Sequence, residues 1–168
     1  PLIAAKEGGD TDPLPAPPRR EWLSPSVLGV YGAVLSAGII LSGTDVALVA
    51  ALRTFDRTEL LGLVITVWCA GSAVGGLVYG AWHRSIPAPY LLIGLAALTL
   101  PVAAAPNVPA IFMIVAVSGL FCAPLISATV DEVSGRVPES VRGEAMGWHG
   151  SALTAGSSLG PPIIGLVL

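Results

Sequence analysis

Apolar residues in this chain come in long blocks separated by short polar interruptions. The first block runs from about Val27 to Leu52 and holds a single charge, Asp45. The second, from about Leu60 to Trp82, holds none. A third covers about Tyr90 to Ala105 and a fourth about Ala110 to Val130, both uncharged. The fifth, from about Ala145 to Leu168, carries only His149. A helix rises 1.5 Å per residue, so a hydrocarbon layer about 30 Å thick needs roughly 20 apolar residues. Four blocks reach that length. The third is shorter, and Pro87 to Pro89 can extend it at one end. A membrane barrel would show short strands of alternating polarity, and no block has them. The expected fold is all-α: a bundle of about five membrane-spanning helices over 27–52, 60–82, 90–105, 110–130 and 145–168.

The polar interruptions order these spans. Residues 1–22 place Pro13, Pro15, Pro17 and Pro18 among Lys6, Glu7, Asp10, Asp12, Arg19, Arg20 and Glu21. Proline removes backbone donors and the charges resist burial, so this stretch reads as an extended, solvated linker ahead of a transmembrane domain over 23–168. Basic residues in short loops mark the cytoplasmic side. Lys6, Arg19, Arg20, Arg84, Arg136 and Arg142 fall on one side of the five spans, and Arg53 and Arg57 on the other. That split places the linker, the His83–Pro87 loop and the Asp131–Glu144 loop in the cytoplasm, with Trp22 and Trp82 at the inner interface. A multi-pass protein of the cell membrane is the expectation.

Helical spacing sorts the few polar groups onto stripes. Tyr31, Gly38, Ser42 and Asp45 share a face of the first helix. Cys69, Ser72, Gly76, Tyr79 and His83 share one of the second. Ser118, Cys122 and Thr129 align on the fourth, and Trp148, Ser151, Ala155 and Ser158 on the fifth. The third helix has only Thr99. Four helices with a small or polar face suggest four that line a common space and one that sits outside it. Small residues also mediate plain helix packing in lipid. Gly71-x-x-x-Gly75, Gly76-x-x-x-Gly80 and Gly156-x-x-x-Gly160 are expected to do that.

Asp45 carries the sharpest chemistry. An ionisable group inside a span costs several kcal/mol unless it faces water or a partner. Two readings stand. In one, Asp45 couples transport to protons or cations, or contacts a polar substrate. In the other, the helix ends near Thr44 and Asp45 pairs with Arg53 or Arg57 at the interface. His149, one turn inside the cytoplasmic end of the fifth helix, is either a proton shuttle or a structural interfacial group. Pro101, Pro124 and Pro161-Pro162 interrupt helices and kink them.

Composition narrows the function classes. Hydrophobic residues make up 54% and charged residues 11%, against about 25% charge in an average soluble domain. Mean hydropathy is +0.80. Net charge −3 with eight Lys and Arg leaves no basic face for nucleic acid. Cys69 and Cys122 are too far apart for a CxxC site and read as buried free thiols. A membrane enzyme would need a nucleophile with a base, or a metal cluster. His83 and His149 lie on different helices, and neither HExxH nor GxSxG occurs. The chain opens at Pro1 and closes at Leu168 within an apolar block, so it is expected to be a piece of a larger protein.

One stretch has a specific likeness. Arg136-Val-Pro138-Glu-Ser-Val-Arg142-Gly143-Glu-Ala145-Met-Gly147, continued by Gly156-Ser-Ser-Leu-Gly160-Pro161-Pro-Ile-Ile-Gly165, resembles a loop and the penultimate helix of major facilitator superfamily transporters. Gly75-Gly76-Leu-Val-Tyr79-Gly80-Ala-Trp-His-Arg84 sits where that family's second half repeats its cytoplasmic-loop signature. It departs from the signature at Gly80, where Asp is usual, and keeps only Arg84 of the basic cluster. The runs around Tyr79 and Phe121 look most like actinobacterial members. The resemblance covers about Ser24 to Leu168. It implies the C-terminal half of a transporter, helices seven to eleven of twelve, with helix nine outside the cavity.

By resemblance, the protein alternates access by rocking one half against the other around a midplane site. Asp45, Tyr31, Ser42, Ser72, Tyr79, Ser118, Trp148 and His149 are the candidates for the substrate and proton path. Arg84, Asp131, Glu132 and Arg142 are candidates for a cytoplasmic gate, with Arg142 set against Asp131, Glu132 or Glu139. The partners implied are a small-molecule substrate, the lipid bilayer and the missing N-terminal half. No cofactor or metal is expected. The leading function is secondary transport of small molecules, with proton-coupled efflux as its expected form. The alternative is a truncated half-transporter without activity of its own.

Overall fold

The computed structural model describes residues 17–81 and 86–167. Among these residues every regular element is a helix, with no strand. In order come α1 (Arg19–Trp22), α2 (Pro25–Thr54), α3 (Leu61–Ala81), α4 (Ala88–Thr99), α5 (Val108–Arg136) and α6 (Arg142–Val167). Short 3₁₀ turns at Thr58–Leu60, Leu100–Ala104 and Glu139–Val141 lead into or out of them. Trp82, His83, Arg84 and Ser85 lie outside the described residues, as does the linker up to residue 16.

Local chemistry sets the boundaries. Ser24 caps α2 by accepting from the Val27 amide at 3.4 Å, and Pro25 fills the first turn, where its missing N–H is no loss. α2 then runs for 30 residues, about 45 Å. It turns off through Asp56, whose φ of 52° is left-handed, a region Asp tolerates better than most residues. Asn107 caps α5 by accepting from Ala110 N at 2.9 Å. α4 gives way to a 3₁₀ turn at Leu100, where Pro101 cannot continue the helical hydrogen bonding.

Two boundaries differ from the polar pattern. The linker turns helical at Arg19, and Trp22 is 3% exposed within the bundle. Its indole fills a cluster with Val27, Tyr31, Val133, Val137 and Ala145, so apolar burial overrides the surrounding charge. α5 also continues through Asp131–Arg136, which the charges place in a loop. Charge ends residence in lipid but not helicity. An Arg136–Glu132 pair at 2.8 Å, one turn apart, supports the extension.

The helices pack chiefly as two pairs, α2 with α6 and α3 with α5, and α4 lies against α5 and α2. Glycine makes both seams possible. A Cβ on Gly38 would stand 2.5 Å from the Leu153 carbonyl oxygen, and one on Gly156 would strike the Leu35 carbonyl. On the other pair, Gly71 faces Ala116 O, Gly75 faces Leu120 O, and Gly119 faces Trp68 O. Two of the three GxxxG pairs therefore bring backbones together, as small residues do in membranes. The third brings no backbones together. A Cβ on Gly76 would meet Ala123 Cβ at 3.1 Å, whereas one on Gly80 would have nothing within 4 Å.

Pro25–Thr54, Thr58–Ala81 and Val108–Arg136 are long and apolar enough to cross a membrane, and Ala88–Ala104 is a shorter apolar helix. α6 is not among them. Its glycines, serines and prolines dilute its hydropathy, although its 26 residues are enough to span. Large apolar side chains point outward along α3, α4 and α5, including Leu77 (75% exposed), Tyr90 (69%) and Met113 (68%). Such an exterior suits lipid.

Candidate functional site

α6 presents two different faces. Ala145, His149, Gly156 and Gly160 are buried against the bundle. Trp148, Ser151, Ala155, Ser158 and Gly165 are exposed and follow one another at helical spacing. Ser151 and Ser158 donate to the carbonyls of Gly147 and Thr154, both at 2.9 Å, which leaves each hydroxyl oxygen open to accept. This wall ends beside α2. There Asp45, Val46, Val49, Ala50 and Arg53 border an open groove of about 390 Å³ together with Gly165.

Asp45 is exposed in that groove and makes no ion pair among the described residues. The interfacial pairing with Arg53 or Arg57 is not formed. Arg57 lies 3.6 Å from Glu59 instead, and α2 continues past Asp45 to Thr54.

The other candidates sit in seams. Tyr31 is buried, and its hydroxyl donates to Ala145 O at 3.0 Å, bridging α2 and α6. Ser42 donates to Gly38 O at 2.8 Å and lies against Gly160. Ser118 is fully buried and donates to Val115 O at 3.1 Å. Ser72 lies in the α3–α5 seam opposite Gly119. The Tyr79 hydroxyl is buried and has no hydrogen-bond partner among the described residues. His149 is 6% exposed, with Nε2 at 3.0 Å from Thr129 Oγ1. Of the eight path candidates, Asp45 and Trp148 stand on exposed faces.

The gate candidates are only partly brought together. Arg142 lies 3.7 Å from Glu139, and both are largely exposed. Of the three alternative partners of Arg142, Glu139 is the one within ion-pair distance. Glu132 is committed elsewhere: Oε1 accepts from the Ala88 amide and Oε2 from Arg136 Nη1, each at 2.8 Å. Asp131 is exposed and has no ion pair among the described residues. Arg84 lies outside them. An ion pair the polar pattern did not indicate, Arg19 with Glu144 at 2.7 Å, ties α1 to the start of α6. These two residues are 125 apart in sequence, so no local signal links them.

Arg53 lines the groove outside the Tyr31–Asp45 stripe, eight positions after Asp45, so of the sequence signals only its helical distance from Asp45 links the two.

A family model described as Major Facilitator Superfamily matches residues 30–168. No curated protein matches the sequence, and no solved structure does.

Proposed function

The chain belongs to the Major Facilitator Superfamily, and on that premise we propose that it forms one wall of a proton-coupled exporter with Asp45 as the coupling carboxylate. As a member of that family it is a multi-pass membrane protein and a transporter of the major facilitator type, handling small molecules within a lipid bilayer.

One observation carries the finer reading. Asp45 is exposed, without an ion pair among the described residues, on a helix of membrane-spanning length. Facing lipid, an ionised carboxylate would cost several kcal/mol; facing a water-filled cavity, it would not. The neighbouring α6 face, with Trp148, Ser151 and Ser158, is polar enough to bound such a cavity. Asp45 would take up a proton when the cavity opens outward and release it inward, and small molecules would leave in exchange. Asp45→Asn in the full-length transporter, with both halves present, tests this by pH-driven flux, with expression and helicity held equal. The proposal expects flux to fall at least tenfold, and unchanged flux removes Asp45 from coupling.

The cavity reading requires an opposite wall. We therefore assign this chain to the C-terminal half of a transporter, with an N-terminal half as its partner. The Arg136–Gly147 and Gly156–Gly165 runs support that assignment, and the run around Tyr79 supports an actinobacterial type. Arg19, Arg20, Arg136 and Arg142 support a linker on the cytoplasmic side of the plasma membrane, by the excess of basic residues in cytoplasmic loops. On this reading the chain alone does not transport, and substrate-saturable uptake by liposomes containing only this chain would overturn it.

A further inference from the structure

The Asp45 groove holds two unlike charges that do not neutralise each other. Asp45 and Arg53 are both exposed and both line it, together with the apolar side chains of Val46, Val49 and Ala50. No ion pair joins them. Their Cα atoms are eight residues apart on one continuous helix, about 12 Å along its axis. Helical side chains tend to lean toward the N-terminus, which for Arg53 is the Asp45 end of the groove. The result is an acidic end and a basic end separated by an apolar floor, in a space of about 390 Å³.

We propose that this groove binds short zwitterions, with the ligand's ammonium at Asp45, its carboxylate at Arg53 and its carbon chain on Val46 and Val49. The inference rests on the transport reading above and names a substrate class for it. A singly charged ligand of the same size satisfies one end and leaves the other charge unpaired, so it gains only part of the interaction. An arginine fork suits a carboxylate, with two parallel hydrogen bonds. An aspartate accepts from an ammonium in several directions. Because a proton and an ammonium compete for the same carboxylate, the site also links ligand release to protonation without any additional group.

Three probes of nearly equal size and different charge test the site: γ-aminobutyrate, butyrate and n-butylammonium. Binding of each radiolabelled probe to the chain in lipid nanodiscs is measured by scintillation proximity. The proposal expects γ-aminobutyrate to bind at least tenfold more tightly than either singly charged probe. Asp45→Asn should remove its advantage over butyrate, and Arg53→Gln its advantage over n-butylammonium. Circular dichroism and monodisperse elution confirm that each variant is folded, and Val49→Phe, which fills the apolar floor, should weaken γ-aminobutyrate binding without altering charge. Equal binding of the three probes, no binding of any, or an unchanged ranking in both charge variants overturns the proposal. The coupling role of Asp45 is judged separately by pH-driven flux. Loss of flux in Asp45→Asn with no zwitterion preference would refute the ligand class and leave the coupling role standing.

Discussion

Thr129 Oγ1 and His149 Nε2 lie 3.0 Å apart in the buried seam between α5 and α6. Thr129 also lies 2.8 Å from Ile126 O, to which its single hydroxyl proton is donated. With that proton so placed, the Thr129 oxygen is free to accept from an Nε2–H tautomer of the imidazole. Of the two readings of His149, proton shuttle or structural group, this contact supports the structural one: a side-chain tie between two helices.

Removing the acceptor should expose the cost of that burial. Thr129→Val keeps the shape and leaves an imidazole N–H without its partner, a loss of about 1–3 kcal/mol. Thr129→Ser keeps the hydroxyl and should lose less. Thermal unfolding followed by circular dichroism in detergent ranks the two, and equal midpoints would refute the tie.

The α2–α6 seam should tolerate no added carbon. Gly156→Ala drives a methyl into the Leu35 carbonyl, and the backbones must separate, at a cost of about 1–3 kcal/mol. Gly147→Ala, on the same helix with nothing within 4 Å of the added carbon, should be neutral or stabilising by up to about 1 kcal/mol through helix propensity. Paired melting curves check the contrast, and equal destabilisation of both variants would refute the seam.

Glu132 holds the start of α4. Its carboxylate accepts from the Ala88 amide while Pro87, at the cap position, offers no side-chain bond. Glu132→Ala should free the first turn of α4 at a cost of about 0.5–2 kcal/mol. Glu132→Gln retains an acceptor and should cost less. Hydrogen exchange at Ala88 reads the result directly: faster exchange in the Ala variant is expected, and unchanged exchange rules the cap out.

On the proposed topology, the Glu139–Val141 turn lies inside the cell and Asp56 outside. Single cysteines at Glu139 and at Asp56, in a Cys69→Ser, Cys122→Ser background, should react oppositely with an impermeant maleimide on intact cells. Labelling of the residue-139 cysteine, with the residue-56 cysteine protected, would invert the topology.

Much of this architecture is readable without coordinates because its causes are local or compositional. Long uncharged blocks must be helices in lipid, since every backbone polar group has to be satisfied within its own segment. The stripes follow from the helical repeat alone, and Trp148, Ser151, Ala155 and Ser158 do share an exposed face. Which neighbour covers a stripe is a different question. Tyr31, Gly38, Ser42 and Asp45 align on α2, yet the line of contact with α6 moves round the helix from Gly38 to Gly43, where Ile164 packs. Tyr31 and Ser42 end under α6 and Asp45 beside it, because a packing seam does not keep strictly to a seven-residue repeat. The partner of Arg19, the acceptor for Ala88 and the tie to His149 likewise depend on residues remote in sequence. Periodicity assigns each side chain to a face of its own helix; only the packing of α2 against α6, and of α5 against both, settles whether that face is covered or open.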